Sequence, residues 1–206
     1  MRQVSNKVES SITVKLDPFP LTRQENSLED AVAGYNGAFI FSIGMAFIPA
    51  SIISFIVRER EINIKHQQLV SGVSILAYWL SNWILDIVKH VVPSVLCSLM
   101  VIAFDINAMI KDGNYGAMWI FFFLYGWAII PFSYLTSFLF KVPGNSMLVS
   151  FFINLLLGSI ISIVVYILIV IESTRDAANI IIWILRPFPS FSFAIGLIKA
   201  TNKEYF

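Results

Sequence analysis

The chain has 206 residues, of which 57% are hydrophobic and only 13% charged, with a formal net charge of +1. Soluble domains run at about 45–50% apolar and about 25% charged residues, so this balance excludes a water-soluble globular domain. It also lacks the basic excess that nucleic-acid binding requires. A single cysteine, Cys97, excludes an internal disulfide or a thiolate metal cluster, and two histidines, His66 and His90, form no zinc or protease motif. Neither a metal site nor a catalytic residue is expected.

Taken in chain order, residues 1–30 are polar, with Pro18 and Pro20, and read as the end of a larger hydrophilic region; the opening MRQVSNKVES has no apolar core and is no signal peptide. Three windows then contain no charge at all: Ala31–Val57, Gly113–Phe140 and Val142–Ile171. A fourth, Val73–Phe104, is interrupted only by Asp86, Lys89 and His90. Crossing about 30 Å of hydrocarbon takes about 20 apolar residues, and backbone groups in lipid must bond within their own segment. The windows are too long and continuous for barrel strands. The sequence therefore predicts an all-α integral membrane protein, a polytopic bundle with four transmembrane helices at about 34–57, 75–103, 115–140 and 146–171. Pro49, Pro93 and Pro131 fall inside these helices, where each removes a backbone bond that a neighbour must make good. The tight connection Lys141–Asn145 predicts that helices three and four form an antiparallel hairpin.

Residues 58–72 are charged and amphipathic. Ile62, Ile64, Leu69 and Val70 give a docking face, and Ser71-Gly72 gives a helix stop. By itself this is either an ordinary solvated flank or a short helix seated on a partner. In the second helix Asp86, Lys89 and His90 share a face by their three- and four-residue spacing. They are either a contact for substrate or a latch, or a self-neutralising pair near the membrane boundary with Lys89 snorkelling outward. Ser81 and Asn82, one turn earlier, are candidates for hydrogen bonds across helices. Trp79, Trp83, Tyr115 and Trp119 suit interfacial belts. Beyond Glu172 the apolar runs Ala177–Leu185 and Ser190–Ile198 are each too short to cross. Together, over about 177–200, they predict a helical hairpin that dips into the bilayer and returns, or lies on its surface. Positive charges are spread over both faces and do not set the orientation.

Several clusters resemble the A subfamily of ABC transporters: Phe47-Ile48-Pro49-Ala50-Ser51, Arg58-Glu59-Arg60-Glu61, Lys65 through Val73, Tyr78-Trp79-Leu80-Ser81-Asn82-Trp83 with Asp86, Leu124 through Pro131, Phe140-Lys141-Val142-Pro143, and Phe188-Pro189 with Gly196. The likeness runs over roughly residues 12–200 and is closest to the second transmembrane half of such transporters. It implies that residues 1–30 end an exofacial region and that residues 31–206 are part of a transmembrane domain. The hairpin would be exofacial and re-entrant, and residues 58–72 would hold a cytosolic coupling helix acting through Glu59, Arg60, Glu61, Lys65, His66 and Gly72. The implied function is the membrane pathway of an ATP-driven lipid transporter. Its implied partners are the lipid bilayer, an ABC ATPase domain, the other transmembrane half and a lipid substrate. No GxxxxGK[ST] loop occurs, so ATP and magnesium would bind on the ATPase domain and this chain alone would be neither an enzyme nor a cofactor carrier. A fragment of a longer protein is expected. A channel- or receptor-like bundle, or a membrane fragment that does not transport, is the alternative.

Overall fold

The computed structural model describes residues 23–104, 106–110 and 114–201. Residues 1–22 of the polar N-terminal region, and Lys111 with most of the loop around it, lie outside the described residues. Among these residues ten α-helices follow in order: α1 (Arg23–Met45), α2 (Phe47–Glu61), α3 (Ile64–Val70), α4 (Ile75–Ala103), α5 (Asn107–Ile110), α6 (Asn114–Ser137), α7 (Pro143–Leu155), α8 (Ser162–Val170), α9 (Arg175–Leu185) and α10 (Pro189–Thr201). A π-helical turn, Leu156–Ile161, joins α7 to α8 without a break. Four stretches of the described residues are long and apolar enough to cross a membrane: Gly34–Glu61, Ile75–Ala103, Asn114–Ser137 and Pro143–Val170. The protein is a polytopic, all-α membrane bundle.

The central member is α6. It is apolar on every side, the pattern of a membrane span that meets protein on one side and lipid on the other, where Ile120, Leu124 and Trp127 are exposed. It packs against α2, α4 and α10, and its Met118, Phe122, Ile129 and Ile130 are fully enclosed. By contrast α4 leans on α6 almost alone, and its outer face stays uncovered, with Val88 and Val92 about 60% exposed. In water such a face would demand a partner; in a bilayer the acyl chains cover it. The serines that these helices carry into the core return their hydroxyls to their own backbone. Ser42, Ser98 and Ser133 each bond the carbonyl four residues earlier, at 2.7–2.9 Å.

Spans three and four differ from expectation. They do not lie against each other: α2 packs on both α6 and α7, which barely touch. The short turn after α6 brings the next span back on the far side of α2, whose small and branched face (Ala50, Ile53, Val57) is wholly buried between them. The first span is broken at Ala46, between α1 and α2. Pro49 cannot donate to Met45 O, four residues back. The Tyr125 hydroxyl of α6 supplies the missing bond, donating to Met45 O at 3.2 Å.

The C-terminal hairpin also differs in kind from a surface element. A 3-10 turn (Glu172–Thr174) reverses the chain after α8, with Thr174 and Arg175 bonding the Leu168 and Ile169 carbonyls. Packed on α8, α9 then runs back along it through Ala178 and Ile182. Starting at Pro189, α10 inserts between α1, α6 and the π turn, with Phe191 and Leu197 buried. Its Ser190 hydroxyl donates to Asn154 Oδ1 at 2.6 Å and lies 3.4 Å from the Tyr125 hydroxyl. Asn154 and Tyr125 sit near the midpoints of their spans, so α10 begins at mid-depth and runs to the end where Thr201 meets Gly34.

Tyr125→Phe removes the donor that offsets Pro49 and loosens the Ser190 junction. The expected loss is on the order of 1 kcal/mol, the size of an interhelical hydrogen bond in a membrane protein. Detergent-to-SDS unfolding of the purified chain reads it; an unchanged midpoint would show that Met45 O is satisfied in another way.

Candidate functional site: the α3 loop, its seat and the α2–α4 cleft

The loop after α2 is built from its sequence. Asn63, in the left-handed region (φ 58°), separates α2 from α3. At the far end Gly72 (φ 97°) stops α3, as the Ser71-Gly72 pair predicts, since a side chain is strained there. Ser74 then caps α4, its hydroxyl accepting from the Ala77 N–H at 3.2 Å.

The six residues assigned to coupling divide into two sets. Glu59, Arg60 and Lys65 turn inward onto the bundle. Arg60 Nη2 donates to Ser137 O at 2.9 Å and also to Phe140 O, closing the C-terminal end of α6, where a cation also meets the negative end of the helix dipole. Glu59 accepts the Tyr78 hydroxyl proton at 2.6 Å, tying α2 to the first turn of α4. The Lys65 ammonium sits 4.3 Å from the Trp79 ring centroid, 5.0 Å from Tyr78 and 5.8 Å from Phe138, in an aromatic box shared by α4 and the α6–α7 turn. Burial, and then the Arg60 charge, push Lys65 below the ordinary lysine range, with Glu59 opposing. Glu61, His66 and Gly72 instead face outward, with Arg58, Ile62 and Val70 beside them.

Deeper along α4, Asp86 is 5% exposed and bonded from two sides. Tyr134 donates to Oδ2 at 2.6 Å and Lys89 to Oδ1 at 3.1 Å. The Lys89 side chain is 66% exposed and its ammonium lies 5.3 Å from the Phe55 ring centroid. This is the one ion pair among the described residues. His90 is buried one turn on. Its Nε2 faces the Phe122 carbonyl at 2.9 Å, so that nitrogen carries the proton, which is shared with Ser94 Oγ at 3.1 Å. Its Nδ1 is buried with no partner among the described residues. Ser81 does not reach across to a neighbour: its hydroxyl returns to Tyr78 O, on its own helix, at 3.0 Å. Asn82 meets the Tyr78 hydroxyl, so it too stays on α4.

Because α2 and α4 stand on either side of α6 and barely touch, a cleft of about 490 Å³ opens between them. Phe47, Ile52, Phe55 and Met147 give it apolar walls, and Asp86, Lys89 and His90 line one side. The arrangement suits an amphipathic guest: an exposed ammonium paired with one carboxylate, beside a wall of hydrocarbon.

Sequence reasoning missed the partners of this cluster. Tyr134 and Tyr78 look like generic apolar-window aromatics, and only the depth of a carboxylate on α4 signals that some hydroxyl must meet it. Gly126 is similar: it reads as a small residue for close packing, but it is the floor under His90. A Cβ there would fall 2.0 Å from His90 Cδ2.

Gly126→Ala must therefore displace the imidazole and break its bond to Phe122 O. Overpacking of this kind costs about 1–3 kcal/mol. The double variant Gly126→Ala/His90→Ala restores the space, so its melting temperature should recover part of the loss. A double variant no more stable than Gly126→Ala alone would refute the steric account.

Comparison with known proteins follows the same lines. The model of the ABC-2 family transporter protein matches residues 1–206. ATP-binding cassette sub-family A member 2 of Homo sapiens is 31% identical over 205 residues, covering 97% of this chain and 8% of its own length. Phospholipid-transporting ATPase ABCA7 of Homo sapiens is 32% identical over 200 residues (94% and 9%). Retinal-specific phospholipid-transporting ATPase ABCA4 of Bos taurus is 34% identical over 203 residues (94% and 9%). The chain thus spans under a tenth of the length of the relatives it matches. With four candidate spanning helices among the described residues, α6 one of them, and a family match over its whole length, the chain belongs to the ABC-2 transporter family and forms part of a multi-pass membrane domain.

Proposed function

We propose that this chain is a membrane-spanning part of an ATP-driven lipid transporter, and that α3 carries the motion of an ATPase domain, itself outside this chain, into the bundle. The single observation behind this reading is the division of the charged loop: Arg60 and Lys65 grip the ends of α6 and α4, while Glu61 and His66 project outward. A push on the outer face of α3 therefore has rigid contacts to act through. Arg60 carries it to the α6–α7 turn, and Glu59 and Lys65 carry it to the first turn of α4. Since α4 is held mainly by α6, a lever at its first turn changes the width of the α2–α4 cleft.

In this reading the loop side is cytosolic, and ATP with magnesium acts on the partner ATPase domain. The other transmembrane half completes the pathway. Lipid is the favoured substrate for two reasons. The cleft joins apolar walls to Lys89 and Asp86, and two of the relatives carry "phospholipid-transporting" in their names. Glu59, Arg60 and Lys65 act as positioning residues; Glu61 and His66 form the docking face, and Gly72 sets the exit of α3.

The test uses the full-length transporter that contains this segment, reconstituted in liposomes. Glu61→Arg should lower lipid movement per ATP hydrolysed several-fold, as loss of a charged contact at a protein interface does, while leaving thermal stability within about 0.5 kcal/mol, as for exposed sites. Arg60→Ala should lower both coupling and stability. Unchanged coupling in Glu61→Arg would remove the docking role.

A further inference from the structure

Arg186 stands at an odd depth for a cation. It closes α9 at the inner turn of the hairpin, and the Ser192 hydroxyl fastens its carbonyl at 2.8 Å to the start of α10. Ser190, just beyond that turn, bonds Asn154 and approaches Tyr125, near the midpoints of two different spans. Arg186 therefore lies close to the middle of the bundle's thickness, and it faces outward. Its guanidinium is stacked on Trp183, 4.3 Å from the ring centroid, and Trp183 is itself 69% exposed. Ile180 and Ile184 share the exposed side of α9 with Trp183, each more than 60% exposed.

We infer that Arg186, stacked on Trp183 at the inner end of α9, binds the phosphate of a phospholipid held part-way across the bilayer. The inference rests on the membrane-spanning reading above. A cation at this depth needs an anion, because charge in hydrocarbon is costly unless it is paired. Among the described residues no carboxylate lies within ion-pair distance of Arg186; the one such pair is Lys89 with Asp86. A guanidinium offers a fork of N–H donors that matches phosphate oxygens, while Ile180 and Ile184 provide a surface for acyl chains. A charge at the inner end of α9 and exposed hydrocarbon along the helix fit a phospholipid whose headgroup has left the interface.

The experiment titrates the purified full chain in detergent with phosphatidic acid and counts retained lipid by native mass spectrometry. Diacylglycerol and soluble glycerol phosphate form the control arms. Wild type should retain phosphatidic acid and neither control. Arg186→Gln should weaken that retention by roughly tenfold, the scale of one charge-assisted contact, and Arg186→Lys by less. Trp183→Leu, which keeps the charge but removes its support, should give an intermediate loss and stands in if Arg186→Gln fails to fold. Equal retention by wild type and Arg186→Gln would overturn the proposal. So would retention of diacylglycerol or of glycerol phosphate as tight as that of phosphatidic acid. Release of a co-purifying membrane partner by Arg186→Gln, with lipid retention unchanged, would also overturn it by assigning the charge to a protein carboxylate. Alkaline carbonate extraction of the cell membranes from which each variant is purified separates the two readings. A chain released into the soluble fraction would sink the membrane reading itself, whereas a retained chain with unchanged lipid binding would sink only the Arg186 site.

Discussion

A carbonyl freed by proline inside hydrocarbon has no water to turn to, and a carboxylate or imidazole there has none either. In this bundle several such groups are met by one helix. Tyr125 of α6 takes the Met45 carbonyl that Pro49 releases, and Tyr134 of α6 takes the second oxygen of Asp86. The Phe122 carbonyl of α6 receives His90, and its terminal carbonyls, with Phe140 just beyond, receive Arg60. These bonds come from the end of α1, from α2 and from α4, at four levels along α6. Apolar packing alone would let the helices slide past each other, because lipid chains match leucine as a solvent. The directional bonds fix the register, and α6 is the element against which the register is read.

This arrangement explains the asymmetry between α2 and α4. Seated between α6 and α7, α2 has its inner face buried, whereas α4 rests on α6 and offers most of its surface to lipid. A helix held along one line moves as a rigid outrigger when its end is pushed. The end in question carries Tyr78 and Trp79, the residues that Glu59 and Lys65 grip. The cleft that such a movement would widen or narrow is the one lined by Asp86, Lys89 and His90. Tyr134 fastens Asp86 on the other side of α4, so the carboxylate is a pivot as much as a lining group.

The four spans and the all-α class were legible because charge-free windows of that length admit one solution in hydrocarbon. The shared face of Asp86, Lys89 and His90 was legible from spacing along one helix. What stayed hidden involves residues far apart in sequence. Nothing local marks Tyr134 as the donor to Asp86, Gly126 as the floor under His90, or Ser190 as the partner of Asn154. The third span was read as running to 140, yet α6 stops at Ser137. The residues after it are apolar and signal nothing, and the stop is held through space by Arg60. The hairpin expected between spans three and four failed for a related reason: a tight turn fixes direction, but not which neighbour fills the groove.

Lys89 and Arg186 are exposed cations near mid-depth, and their settings differ. Lys89 has Asp86 at 3.1 Å and the Phe55 ring beside it, so its charge is offset within the fold. Among the described residues Arg186 has the Trp183 ring and no carboxylate. A charged side chain at the bilayer centre costs about 2.5–3.5 kcal/mol on insertion scales, and a cation–π contact returns about 0.5–2 kcal/mol. The remainder is a deficit that a phosphate cancels and that acyl chains do not. With exposed Ile180 and Ile184 further along α9, an anion that arrives with hydrocarbon suits this site, and a phospholipid in the bilayer is a molecule that brings both.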